Sequence, residues 1–142
     1  MEDLLQSSNI QLEVCKQLKP DLCGIIIQAN KEEVVTKFQA TKQMISDEND
    51  IIHSGFIFNA ASYAAMCLVN QTYSLIIKSE VQFLAPLEFG QEMTFIATMR
   101  HSNNKQCEVV VKGSLLDIKI FEASFYISIF DKQIFKLDFQ ES

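Results

Sequence analysis

No charged side chain falls between Ser54 and Ile77, and within that run Ser54-Gly55-Phe56-Ile57-Phe58-Asn59-Ala60-Ala61-Ser62-Tyr63-Ala64-Ala65-Met66-Cys67-Leu68-Val69-Asn70 is apolar on nearly every side. A helix with one apolar stripe lies on a surface, whereas one that is apolar all round must be enclosed by other structure. The run is long enough to cross a membrane. Asn59, Asn70, Gln71, Thr72 and several serines interrupt it, however, so it predicts a buried helix passing into a buried strand. The middle of the helix is Ala60, Ala61, Ser62, Ala64 and Ala65. Side chains this small let a sheet approach the helix axis closely, which a surface helix does not need.

The flanking segments supply that sheet. Cys23 to Gln28 and Glu33 to Ala40 are rich in β-branched and aromatic residues and predict two strands about a turn at Ala29-Asn30-Lys31-Glu32. After the helix, strands are expected over Tyr73 to Leu84, Met93 to Met99, Gln106 to Leu116 and Ile120 to Phe130. Pro86 and Gly90 punctuate the first turn among them, and His101-Ser102-Asn103-Asn104-Lys105 makes a hairpin. Short connections predict a largely antiparallel sheet. The expected fold class is α+β, one long buried helix wrapped by a curved antiparallel sheet. Leu4 to Leu18 is loosely helical in spacing, with Pro20 expected to end it. The expected organisation is therefore an N-terminal helical extension over 1–21 and one domain over 22–142, in keeping with a chain of 142 residues.

Charge excludes several function classes. The net charge is −6, and the twelve basic residues include a single arginine, Arg100. Phosphate forks and base-edge readers are mostly arginine, so neither nucleic-acid binding nor a polybasic membrane patch is expected. The acidic opening Met1-Glu2-Asp3-Leu4-Leu5 lacks the basic start of a secretory signal. A cytoplasmic location, with no membrane span, is the expectation. Cys15, Cys23, Cys67 and Cys107 are too widely spaced for a zinc site or redox dithiol, and His53 and His101 add little. No metal is expected, and the cysteines are expected to be reduced and mostly buried.

Two motifs carry a resemblance. His53-Ser54-Gly55-Phe56 opens the helix and is similar to the His-Gly-Gly opening of many hotdog-fold thioesterases. Phe83-Leu84-Ala85-Pro86, followed by Gly90-Gln91, is similar to their Phe-Leu-x-Pro and Gly-Asp. In that order the chain resembles the hotdog-fold acyl-CoA thioesterase superfamily over about residues 22–130. The helix from Gly55 to Ala64 is most similar to the ligand-binding domain of the malonyl-CoA-sensing repressor of fatty-acid synthesis. The resemblance implies an acyl-CoA or acyl-carrier-protein thioester as ligand and a role in fatty acid metabolism. No cofactor is implied beyond coenzyme A as part of that ligand. It also implies a homodimer or higher homo-oligomer, since the strand Tyr73 to Leu84 would otherwise be an exposed apolar edge.

The chemistry divides into binding and attack. A helix N-terminus offers free N–H groups and a positive dipole end to a developing oxyanion, and Gly55 would let a ligand come close. Ser54, Gly55, Phe56, Phe58, Ser62, Met66 and Phe83 are the expected substrate-binding residues. Each also has an ordinary packing role open to it. For attack, the position matching the superfamily's helical carboxylate is about Ser62, a poor base without a basic partner. Asp47, Glu48 and Asp50 before the helix, and Glu80 after it, are the remaining candidate bases, although the trio is equally a solvated turn. His53 can serve as an acid-base group or as a cap. Asn59 can hold a water or carbonyl, or bond to backbone. The two readings are a thioesterase with a non-standard active site and a non-catalytic acyl-CoA-binding sensor or regulatory protein.

Overall fold

The computed structural model describes residues 10–131. A four-residue helix α1 (Pro20–Cys23) leads into β1 (Ile25–Ala29) and β2 (Glu33–Gln39). The long helix α2 (Ser54–Val69) follows, and then β3 (Ser74–Phe83), β4 (Glu92–Ser102), β5 (Gln106–Leu115) and β6 (Ile118–Ile129). The six strands form one antiparallel sheet in the order β1-β2-β4-β5-β6-β3. This is the hotdog architecture, with α2 laid across one face of the sheet. Strand positions follow the expected ones within a few residues, but the order does not follow the chain. After α2 the chain crosses to the far edge as β3, then returns through 84–91 to place β4 beside β2.

Local side-chain chemistry sets two of the hairpins. The Asn30 Oδ1 accepts the N–H groups of Glu32 and Glu33 at 2.8 and 2.9 Å. The Asn103 Oδ1 does the same for Lys105 and Gln106. Each asparagine thereby mimics a backbone turn. The third hairpin turns through Leu116 and Asp117, both in the left-handed region at φ 50° and 67°.

The core lies between α2 and the inner face of the sheet. Ala60, Ala61, Ala64 and Ala65 have no exposed surface. Neither do Phe38, Phe95, Phe121 and Phe125 on the strands, so large side chains of the sheet fill the space that the alanines leave. Register aligns Thr36, Phe95, Gly113, Phe121 and Phe83 in one transverse row. Gly113 is the gap in that row: a Cβ there would stand 2.7 Å from Met93 Cε and 2.8 Å from Phe95 Cε1. Its absence lets Phe95 and Phe121 meet edge-to-face, 5.7 Å between centroids, and Phe121 meets Phe83 in the same way at 5.4 Å.

Over its described part, residues 10–18, the expected N-terminal helix is corrected. Residues 10–18 carry bends and a turn but no helix, and Pro20 opens α1 instead of closing a helix before it. Proline suits a first helical position because its missing N–H has no partner there anyway. The rest of that expected helix, like residues 132–142 of the expected domain, lies outside the described residues. Residues 10–24 form a strap held on α2 by two asparagines. Asn70, the left-handed C-cap of α2, accepts the Glu13 N–H at 2.7 Å and donates to the Gln11 carbonyl at 3.0 Å. Asn59 donates to the Leu22 carbonyl at 2.9 Å.

Two stability measurements check this packing. Ala64→Leu pushes a larger side chain between α2 and the sheet and is expected to cost about 1–3 kcal/mol. Thr36 is fully buried and its hydroxyl has no hydrogen-bond partner among the described residues. Thr36→Val keeps the shape, removes that orphan, and is expected to add about 1 kcal/mol. Both are read as opposite shifts of the urea midpoint at unchanged slope.

Candidate functional site

The loop before α2 and the loop after β3 are stitched together at the N-terminal end of the helix. The Ile52 N–H donates to the Leu87 carbonyl at 2.8 Å, and the Phe89 N–H to the Asp50 carbonyl at 2.8 Å. Isolated bridges join Ile51 to Glu88 and Ile45 to Ile52. Leu87, fully buried, anchors the returning chain. Between the two loops opens a cleft of about 310 Å³, lined by Ile51, Ile52, Ser54, Ile57 and the run Phe83 to Leu87. Among the described residues Ser54 is its only polar lining side chain.

The first turn of α2 faces this cleft through Ser54. His53 is the N-cap residue and gives no side-chain cap. The Phe56 N–H donates back to the His53 carbonyl at 3.0 Å, while the N–H groups of Ser54 and Gly55 have no partner among the described residues. Unpaired first-turn amides at a positive dipole end are able to donate to a carbonyl or carboxylate oxygen. Beside them the exposed imidazole of His53 stacks edge-on to Phe56, and a Cβ on Gly55 would come within 3.0 Å of that ring. Gly55 thus makes room for the imidazole.

The remaining expected site residues are dispersed. Asp47, Glu48 and Asp50 are exposed on the loop, and none of their side chains makes a hydrogen bond or ion pair among the described residues. Asp50 is itself in the left-handed region, at φ 63°. Glu80 stands on the outer face of β3. It pairs opposite Ser124, whose neighbours Ala123 and Phe125 are the ones that turn into the core. There it accepts a hydrogen bond from the Tyr126 hydroxyl at 3.3 Å, with Lys78 Nζ 5.1 Å from the Tyr126 ring centre. Within one protomer, Glu80 therefore faces away from α2. The Ser62 hydroxyl donates to the Asn59 carbonyl at 2.8 Å, and the Asn59 amide serves the strap. Both side chains take the backbone-bonding roles.

Of the expected substrate-binding residues, Ser54 and Phe83 border the cleft. Gly55, Phe56, Phe58, Ser62 and Met66 do not. Phe58 packs against Phe125 with ring centres 5.5 Å apart, and Phe56 and Met66 pack on the core. Ile51, Ile52, Ile57, Leu84, Ala85, Pro86 and Leu87 form the rest of the wall, and the Phe-Leu-x-Pro run was the sequence signal for three of these. Cysteine chemistry has no place here. Burial raises the thiols of Cys15, Cys23 and Cys67, with Cys23 pushed up to about 11, so these groups stay protonated and weakly nucleophilic. Among the described residues no three His, Cys, Asp or Glu side chains are grouped to hold a metal ion, and no described helix is long and apolar enough to cross a membrane.

No protein-family model matches the chain. Among curated proteins it is 34% identical over 94 residues to methylthioribose-1-phosphate isomerase of Aquifex aeolicus. That match takes in 66% of this chain but spans only 20% of the longer protein. Among solved structures, a hypothetical thioesterase from Streptococcus pneumoniae crystallised with coenzyme A shares the fold with a TM-score of 0.70 at 12% identity, covering 91% of this chain and 92% of that one. An HP0420 homologue from Helicobacter felis is 38% identical, with a TM-score of 0.80 over 84% of this chain and 86% of that one. Cj0977 from Campylobacter jejuni, described as a sigma28-regulated virulence protein, is 34% identical, with a TM-score of 0.82 over 89% of both chains. Identity of this order over most of both chains, together with the shared sheet and buried helix, places the protein in the family of the HP0420 homologue and Cj0977.

Proposed function

We propose that the protein binds an acyl thioester, carried by coenzyme A or an acyl carrier protein, with the thioester carbonyl at the amides of Ser54 and Gly55. The observation that carries this reading is the pair of unpartnered amides opening beside an apolar cleft. A carbonyl oxygen finds donors there, and an acyl chain finds apolar surface. The coenzyme A complex of the pneumococcal thioesterase supports the choice of carrier. A cytoplasmic place in fatty acid metabolism fits such a ligand.

Binding is favoured over efficient hydrolysis. Attack needs a base within hydrogen-bond reach of the carbonyl or of a water beside it. The helix is uncharged throughout, Ser62 is bonded to its own backbone, and Glu80 lies on the outer face. The match to one fifth of a much longer Aquifex chain suits a ligand-binding module, which supports the sensor reading. The enzymatic reading rests on Asp47, Glu48 or Asp50 swinging from the loop, with His53 as auxiliary, or on Glu80 from a second copy.

The partner proposed is that second copy, joined through β3. This strand is a sheet edge, and Leu75 and Ile77 on it are about half exposed. Exposed apolar edges recruit a further strand. Native mass spectrometry at micromolar concentration is expected to give a species of twice 16.2 kDa or a higher multiple. Ile77→Lys is expected to shift it towards the monomer. A wild-type protein that is monomeric throughout would refute the dimer.

Turnover gives the second check. Calorimetric titration is expected to show acyl-CoA binding, and steady-state hydrolysis is expected to be slow. A positioned base contributes about a hundred- to ten-thousand-fold. Alanine at Asp47, Glu48, Asp50 and Glu80 in turn is therefore expected to leave any hydrolysis within about threefold. Loss of a hundredfold or more at one of them would establish the enzyme reading and name its base.

A further inference from the structure

Resting on the thioester reading above, we infer that the cleft accepts neutral, apolar acyl groups and discriminates against acyl groups that end in a carboxylate. Among the described residues the wall carries no cation: its lining is Ile51, Ile52, Ser54, Ile57 and Phe83 to Leu87. The chain segments that build it hold a single histidine, His53, which lies outside the lining. Residues 43–77 and 79–99 contain neither lysine nor arginine. They contain Asp47, Glu48, Asp50, Glu80, Glu88 and Glu92. Asp50 and Glu88 flank the wall directly, since Ile51 bridges Glu88 and the Asp50 carbonyl holds Phe89. The bounding cations are placed elsewhere. Lys78 lies over Tyr126 on the outer face, Lys42 sits beyond Met44 at the start of a short 3-10 turn, and Arg100 pairs with Glu108 at 3.5 Å on β4 and β5; all three are outside the lining.

A carboxylate entering such a cleft loses water and finds no opposite charge, and it meets the field of the loop carboxylates. Burying an unpaired charge is among the costliest changes a site can ask of a ligand. The unpaired amides of Ser54 and Gly55 offer one anion position, but the thioester carbonyl occupies it. A methyl or methylene end in the same place gains apolar contact with Phe83, Leu84 and Leu87. The inference separates this protein from malonyl-CoA sensing, although its helix resembles that of a malonyl-CoA sensor.

The test uses butyryl-CoA and malonyl-CoA, two acyl groups of similar size, with free coenzyme A as reference, in calorimetric titrations of the full chain at pH 8. Butyryl-CoA is expected to bind at least tenfold more tightly than malonyl-CoA. Leu84→Arg places a cation on the wall at a half-exposed position, and Ala85→Arg does so at the next exposed one. Each folded variant is expected to narrow the ratio to about threefold or less. Malonyl-CoA binding as tightly as butyryl-CoA to the wild type would overturn this inference and leave the thioester reading standing. An unchanged ratio in both variants would overturn the role given to the missing cation. Failure of every acyl-CoA to bind would overturn the thioester reading and this inference with it.

Discussion

The structure depends on the close contact between the alanine face of α2 and the aromatic face of the sheet. Ala60, Ala61, Ala64 and Ala65 are packed to zero exposure against strands that carry Phe38, Phe95, Phe121 and Phe125. Large residues sit on the sheet and small ones on the helix, so the two surfaces fit together. Each element supplies what the other lacks. The helix has no polar face with which to float on a surface, and the sheet has an inner face too apolar to leave open. Gly113 extends the same logic into the strands, because its missing side chain is the space into which Phe95 and Phe121 turn.

That contact also constrains the chemistry. A helix enclosed this tightly tolerates no unpaired charge along its buried faces, since an ionised side chain there loses its hydration. The least covered stripe of α2 runs through Gly55, Asn59, Ser62 and Met66, and there the polar groups are already engaged. Ser62 bonds to Asn59, and Asn59 bonds to the strap at Leu22. The strap therefore occupies the surface on which a helical carboxylate would need water and room. What remains available is the end of the helix, where His53 does not cap and the backbone donors of Ser54 and Gly55 stay open.

Much of the fold was legible because it rests on periodicity and composition. The uncharged run identified α2, and β-branched and aromatic segments between turn residues identified the strands to within a few positions. The order of those strands was not legible. The sequence shows that β3 follows α2, but not that it joins β6 at the far edge, because cross-strand pairing depends on side chains far apart in the chain. The strap was misread for a related reason. Its spacing is loosely helical, yet its backbone groups are satisfied by Asn70 and by α2 packing, a tertiary contact that overrides weak local preference. At the site, the helix N-terminus and Phe83 were visible as motifs. The inward or outward facing of Glu80 was not, because the irregularity between Ile76 and Lys78 resets the alternation of β3.

The site joins a polar end to an apolar wall, and the two differ in what they can do. Backbone amides at a helix terminus are fixed before any ligand arrives, so they hold a carbonyl oxygen with little reorganisation. They stabilise charge on oxygen but remove no proton from water. An apolar wall excludes water and strengthens that hydrogen bonding, while withholding the base that would use it. On the proposed function, holding and turning over a thioester are thus separable. The first would rest on the backbone of α2 and the loops that meet at Leu87. The second needs a side chain that the packing of α2 leaves no place for on the helix itself.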